Sequence, residues 1–192
     1  MSAAQISTAV SDFVLSASAL LPAVTLWRPS PVGSAGFLVI GVAAGLGVLR
    51  FGQGLPPAGL VRAHQAVSWL ANVLGTACIS AALHKKMAPA GGHDLWTDYR
   101  LVGAALLLVA RRFLPPNLSE LATLLLSGIS VVSAGIVCGM NGNTAGVAGA
   151  VLYAVSGLVI GDEGSFLSIP RVDWFHYALA LGNYAFYSAL TN

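Results

Sequence analysis

Seven apolar stretches divide the chain, separated by short polar or proline-bearing turns. A membrane helix needs about 20 mostly apolar residues at about 1.5 Å each. The stretches run from about Thr8 to Trp27, Gly33 to Phe51, Gly59 to His84, Asp94 to Leu114, Leu118 to Met140, Thr144 to Gly161 and Pro170 to Thr191. Arg28-Pro29, Gly52-Gln53-Gly54, Lys85-Lys86, Pro115-Pro116 and Asn141-Gly142-Asn143 punctuate them. Most connections have the length of helix hairpins. The exception is Lys85 to Leu95, which carries Pro89, Gly91 and Gly92 and reads as a flexible surface loop. The fourth stretch is the short one. Arg100 and Arg111 bracket an apolar run of only about 16 Å along a helix axis. Either both guanidinium groups snorkel to the headgroups, or neighbouring helices shield this one. The pattern predicts an all-α integral membrane helical bundle with seven transmembrane helices, or six if the fourth stretch does not span. It forms a single multi-pass domain over residues 1–192.

Composition narrows this to a membrane. Of 192 residues, 56% are hydrophobic and 8% charged, where soluble domains carry about 25% charged residues. The net charge of +2 excludes a nucleic-acid partner as a leading idea. The 22 glycines lie inside apolar runs, where they let helix backbones approach. Gly41/Gly45, Gly135/Gly139, Gly142/Gly146 and Gly157/Gly161 are each four apart and suit packing faces or an oligomer face. Cys78 and Cys138 form no Cys-x-x-Cys pair and read as buried thiols, so no disulfide or zinc framework is expected. Met1 to Val10 holds no Lys or Arg, which argues against a cleaved signal peptide. The partner is then the lipid bilayer, with a homo- or hetero-oligomer open. The endomembrane system is favoured over other locations.

Three stretches carry polar stripes. On the third, His64, Ser68, Asn72, Thr76, Ser80 and His84 recur every four residues. On the fifth, Glu120, Thr123, Ser127 and Ser130 are spaced three, four and three. On the seventh, Asp173, His176, Ala180, Asn183 and Tyr187 are spaced three, four, three and four. Those spacings place residues on one helix face. Ser and Thr in membrane helices often bond only their own i−4 carbonyl. Yet bare polar groups are costly in hydrocarbon, so the simplest expectation is one shared polar seam of Ser68, Asn72, Thr123, Ser127, Asn183 and Tyr187. Alternating spans bring Asp12, His64, Glu120, Asp173 and His176 to one membrane face. Carboxylate and imidazole are the material of general acid–base chemistry or of a metal site. The plainer account is that they sit near helix starts, where the dipole and hydrated headgroups favour them. Lys plus Arg divides evenly enough between the faces (Arg50, Arg62, Arg111, Arg112 and Arg171 against Arg28, Lys85, Lys86 and Arg100) that orientation stays open. Trp27, Trp96 and Trp174 fall near the expected interfaces. No Gly-rich phosphate loop, Gly-x-Ser-x-Gly elbow or His-Glu-x-x-His helix occurs, and neither metal nor cofactor is expected.

The segments from Asn143 to Val159 and from Pro170 to Leu190 resemble the transmembrane protein 276 family. The shared features are an asparagine- and glycine-rich sixth helix, an acidic turn, a proline-led last helix and an Ala-Leu-x-x-Gly-x-x-Ala-Tyr-like run. The matches here are Ala178, Leu179, Gly182, Tyr184 and Ala189-Leu190. The resemblance implies a multi-pass membrane protein and no particular activity. A fainter similarity joins small polytopic lipid hydrolases. Ceramidase-like enzymes place a His pair on the last helix, where this chain has His176 alone. Lysoplasmalogenase-like enzymes use carboxylates in a bundle, parts that Asp12 and Asp173 would take. The leading expectation is a non-enzymatic membrane component. The alternatives are an intramembrane lipid hydrolase using the face cluster and a small-solute transporter or channel.

Overall fold

Proline and asparagine set where the helices begin. Pro31 and Pro116 occupy first-turn positions of their helices, where a missing N–H costs nothing. Asn143 caps the sixth helix by accepting a bond from Gly146 N at 2.9 Å. The computed structural model of the protein describes residues 5–88 and 98–192. Within them lie α1 (Ile6–Thr25), α2 (Pro31–Phe51), α3 (Ala58–Met87), α4 (Tyr99–Ala110), α5 (Pro116–Met140), α6 (Thr144–Ile160) and α7 (Arg171–Thr191). α3 contains a π-helical segment at Ala71–Gly75, and α6 ends in another at Ser156–Ile160. A small antiparallel pair, β1 (Ser165–Phe166) and β2 (Ile169–Pro170), follows the acidic turn at Asp162-Glu163. Its two-residue tip, Leu167 and Ser168, has φ of 53° and 63°, the twist that a two-residue hairpin demands at both central positions.

The fold is helical apart from that small strand pair, and among the described residues four helices are long and apolar enough to cross a membrane: α1, α2, α3 and α5. α4 and α6 are shorter apolar helices. One expectation shifts, and one open alternative is decided. The predicted loop begins later than Lys85, because α3 continues to Met87 and keeps Lys85 and Lys86 in its last turn, where the helix dipole favours cations. Residues 89–97, which hold His93 and Asp94 of that loop and Trp96 beyond it, lie outside the described residues. Arg100 does not snorkel; it is fully buried, and α3 and α5 shield it.

Hydrogen bonds and glycine contacts fix the direction of each helix. α1 and α2 are antiparallel, with Ser16 Oγ donating to the Gly41 carbonyl at 2.9 Å and Ser34 Oγ to that of Ala23. Gly36 of α2 lies against the Gly75 carbonyl of α3. α3 and α5 run parallel, since Trp69 Nε1 donates to Thr123 Oγ1 at 2.9 Å and Ser80 meets Ser133 at 3.2 Å. α4 descends between them through Val73, Ala77, Ala104 and Leu107. Gly146 abuts Cys138, and Gly149 abuts Phe186, which tie α6 to α5 and α7. α7 closes the bundle parallel to α1, through Ser18 with Asn183 and Ser11 with His176.

The main core draws on α1, α2, α3, α5, α6 and α7, with Leu15, Phe37, Ile79, Leu83 and Phe186 at its centre. Large apolar side chains such as Leu106, Ile136 and Leu158 point outward, as lipid contact requires. The four-residue glycine spacings resolve unevenly. Gly41, Gly135 and Gly146 are tight contacts, whereas Gly142 and Gly161 are turn residues with φ near +67° and +66°, and Gly157 meets nothing. Comparably close approaches fall at Gly47 and Gly182, outside that spacing pattern.

Candidate functional site

The five face residues predicted to cluster separate into three places. Asp12, Asp173 and His176 come together between α1 and α7, and Ser11 joins them. All four side chains are buried. Asp173 and His176 are one turn apart on α7, so both face α1. Ser11 and Asp12 are neighbours on α1 and diverge: Ser11 points into α7, and Asp12 lies between α7 and Gly47 of α2. Ser11 Oγ is 3.0 Å from His176 Nδ1, 3.1 Å from Asp173 Oδ1 and 3.0 Å from the Thr8 carbonyl. Asp12 Oδ1 approaches the same Nδ1 at 3.5 Å, a charge contact rather than a hydrogen bond. Its Oδ2 is buried and has no hydrogen-bond partner among the described residues. A Cβ built on Gly47 would collide with that oxygen, so only glycine leaves room for the carboxylate.

His64 stands apart. Its Nδ1 is 2.9 Å from Arg50 Nη1, and its ring meets Phe51 edge-on at 5.6 Å, which ties α2 to α3. Glu120 is exposed and lines a recess on the other side of α3. Among the described residues no three His, Cys, Asp or Glu side chains are placed to hold one metal ion.

The expected seam is likewise split. Thr123 accepts from Trp69, and Ser127 bonds back to the Thr123 carbonyl, so the α5 stripe faces α3. Asn183 accepts from the Tyr153 hydroxyl and donates to Ser18 Oγ at 3.0 Å, so the α7 stripe faces α6 and α1. Tyr187 and Ser68 are half-buried, and Asn72 is exposed. The stripes of α3, α5 and α7 therefore do not surround one common cavity. A period says which residues share a face, and not which neighbour that face meets.

One further buried polar centre joins the end of the α3 stripe, at Ser80 and His84, to Asp98 and Arg100, which belong to no stripe. Asp98 caps α4 by accepting from Arg100 N at 2.9 Å, and it binds Arg100 Nε at 2.8 Å and Nη2 as well. Arg100 Nη1 lies 2.5 and 2.8 Å from the two ring nitrogens of His84 and 3.2 Å from Ser133 Oγ. Asp98-Tyr99-Arg100, a cap residue two before a cation at the head of an apolar run, is the signal in the sequence that points to it. Ser11 has a signal too, as a polar neighbour of an in-membrane carboxylate.

What these elements define is a polytopic helical membrane protein with Asp12, Asp98, Arg100, Asp173 and His176 buried between its helices. No family model matches the chain, and no solved structure does. The chain is 30% identical to human transmembrane protein 276 over 191 residues, covering 97% of this chain and 93% of the human one. The rat and mouse proteins of the same name are each 29% identical over 191 residues, covering 96% of this chain and 91% of theirs. The chain belongs to the transmembrane protein 276 family. The likeness extends through nearly the whole chain, well beyond the final quarter that carried the resemblance.

Proposed function

We propose that the protein is a non-enzymatic membrane component, a bundle in which all seven helices cross the bilayer. One observation carries the first part. In the Ser11–His176 cluster the hydroxyl and the Asp12 carboxylate both address Nδ1. A nucleophile–base–acid relay needs the hydroxyl on one ring nitrogen and the orienting carboxylate on the other. Ser11 is also fully buried, so no scissile bond reaches it. The cluster reads better as a polar clamp between the first and last helices. Purified protein in proteoliposomes is expected to hydrolyse neither phospholipid, lysophospholipid nor ceramide above the level of Ser11→Ala and His176→Ala. A turnover lost in both variants, each still folded, would instead support a lipid hydrolase, the reading that the 3.0 Å Ser11–His176 contact favours.

The alternation of helix directions supports seven crossings. α7 is 21 residues long, about 31 Å. α4, with 12 residues, covers about 18 Å, and the Arg111–Leu114 turns complete its passage. Because α7 is parallel to α1, the two termini are expected on opposite sides of the membrane. Cysteines introduced at Gln5 and Asn192, labelled by an impermeant maleimide from one side at a time, test this. Labelling of both from the same side would reduce the crossings to an even number.

A further inference from the structure

A recess of about 450 Å³ opens on the outer side of α3 and α5, away from the α1–α7 cluster. Trp69 and Asn72 of α3, Arg111 and Leu114 beyond the end of α4, and Glu120 and Leu124 of α5 line it. Three of these are polar groups of different kinds that no group among the described residues satisfies. Asn72 is exposed in the π segment of α3, and its amide makes no hydrogen bond among the described residues. It sits about 21 Å along a membrane-crossing helix, where an exposed polar side chain is costly without a partner. Single π turns recur at functional sites. Glu120 has no cationic partner among the described residues, and Arg111 has no anionic one. The Arg111 guanidinium is held 4.0 Å over the Trp69 ring, which fixes the cation at the mouth of the recess. Trp69 is anchored in turn by Thr123.

The charges lie where headgroups lie. Arg111 follows the end of α4, and Glu120 is one turn into α5, so both sit at the same membrane face. Deeper in, the lining turns apolar at Leu124, with the Asn72 amide beside it. A cation and an anion at the surface, with an amide and an apolar side chain below them, match one molecule of the bilayer. We propose that this recess binds a zwitterionic glycerophospholipid. Its phosphate pairs with Arg111, its ammonium with Glu120, its ester carbonyl accepts from Asn72 Nδ2, and one acyl chain lies along Leu124.

Full-length protein in nanodiscs doped with a diazirine-bearing phosphatidylcholine tests the site. Photolabelling is expected to concentrate on peptides holding Trp69–Asn72 and Glu120–Leu124. Glu120→Gln and Arg111→Gln are each expected to lower it about tenfold, the worth of one charge-assisted contact. Leu124→Trp, which fills the recess and leaves its charges intact, is expected to do the same. Phosphatidylglycerol is expected to compete poorly against the unaltered protein and well against Glu120→Gln. Should Arg111→Gln unfold through loss of the Trp69 stack, the two α5 variants still decide. Labelling spread evenly over the outward faces of all helices and unchanged in those variants would overturn the proposal. So would displacement by free phosphocholine, or phosphatidylglycerol binding the unaltered protein as tightly as phosphatidylcholine.

Discussion

Arg100→Ala is expected to lower the stability of the bundle by about 3–5 kcal/mol, the usual cost of removing one partner of a buried ion pair. The reason is what would be left behind. Asp98 is buried with its carboxylate aimed at the guanidinium, and it would keep its charge or its desolvation cost without that partner. Asp98→Ala is expected to cost as much, because Arg100 is fully enclosed and α4 also loses its cap. The double variant should cost clearly less than the two added together, since both single variants remove the same Asp98–Arg100 interaction. Unfolding of the purified protein by increasing sodium dodecyl sulfate, followed by far-ultraviolet circular dichroism, measures all three. Additive losses would mean that Arg100 is held by His84, Ser80 and Ser133, and that Asp98 acts only as a cap.

Gly47→Ala is expected to cost about 1–3 kcal/mol, the usual cost of overpacking a filled interior. The added methyl would collide with both carboxylate oxygens of Asp12, the farther of them only 2.7 Å away. Asp12 has little room to yield, because the other side of its carboxylate faces His176. The same reasoning predicts a rescue. Asp12→Ala removes the atoms in the way, so Asp12→Ala/Gly47→Ala should recover most of the loss measured against Asp12→Ala alone. The same denaturant titration reads the cycle, and a Gly47→Ala cost unchanged in the Asp12→Ala background would show that the clash lies elsewhere.

Much of this architecture is legible in the sequence. Hydrophobic run length and the prolines at 29, 56, 57, 115 and 116 place the helices within a few residues, because bilayer thickness and the missing N–H act locally. Pairing is harder to read. Asp12, Asp173 and His176 are expected on one face and do meet, because parallel α1 and α7 bring equal depths together. His64 and Glu120 occupy the same depth, yet α3 turns one toward α2 and α5 turns the other outward. Depth follows from counting residues, but azimuth follows from packing shape. That shape is set by individual contacts such as Gly36 on Gly75 and Gly182 on Tyr153, which a four-residue spacing does not single out. Arg100 takes the shielded of its two alternatives for a related reason. A charge near the end of an apolar run can reach water or be shielded; Asp98-Tyr99-Arg100 signals the local pair, but only packing brings His84 and Ser133 onto the same guanidinium.

The contact between α1 and α7 also has a consequence for biogenesis. Ser11 waits for a partner 165 residues further along the chain. At synthesis rates of about 5–20 residues per second, that delay is of the order of 8–33 s. During it, the α1–α2 hairpin holds an aspartate whose eventual neighbours do not yet exist. Throughout that interval Asp12 must be neutralised by a proton, kept at the headgroups or sheltered by the insertion machinery. A chain truncated before α7 would remain in that state, which makes it a natural substrate for membrane quality control.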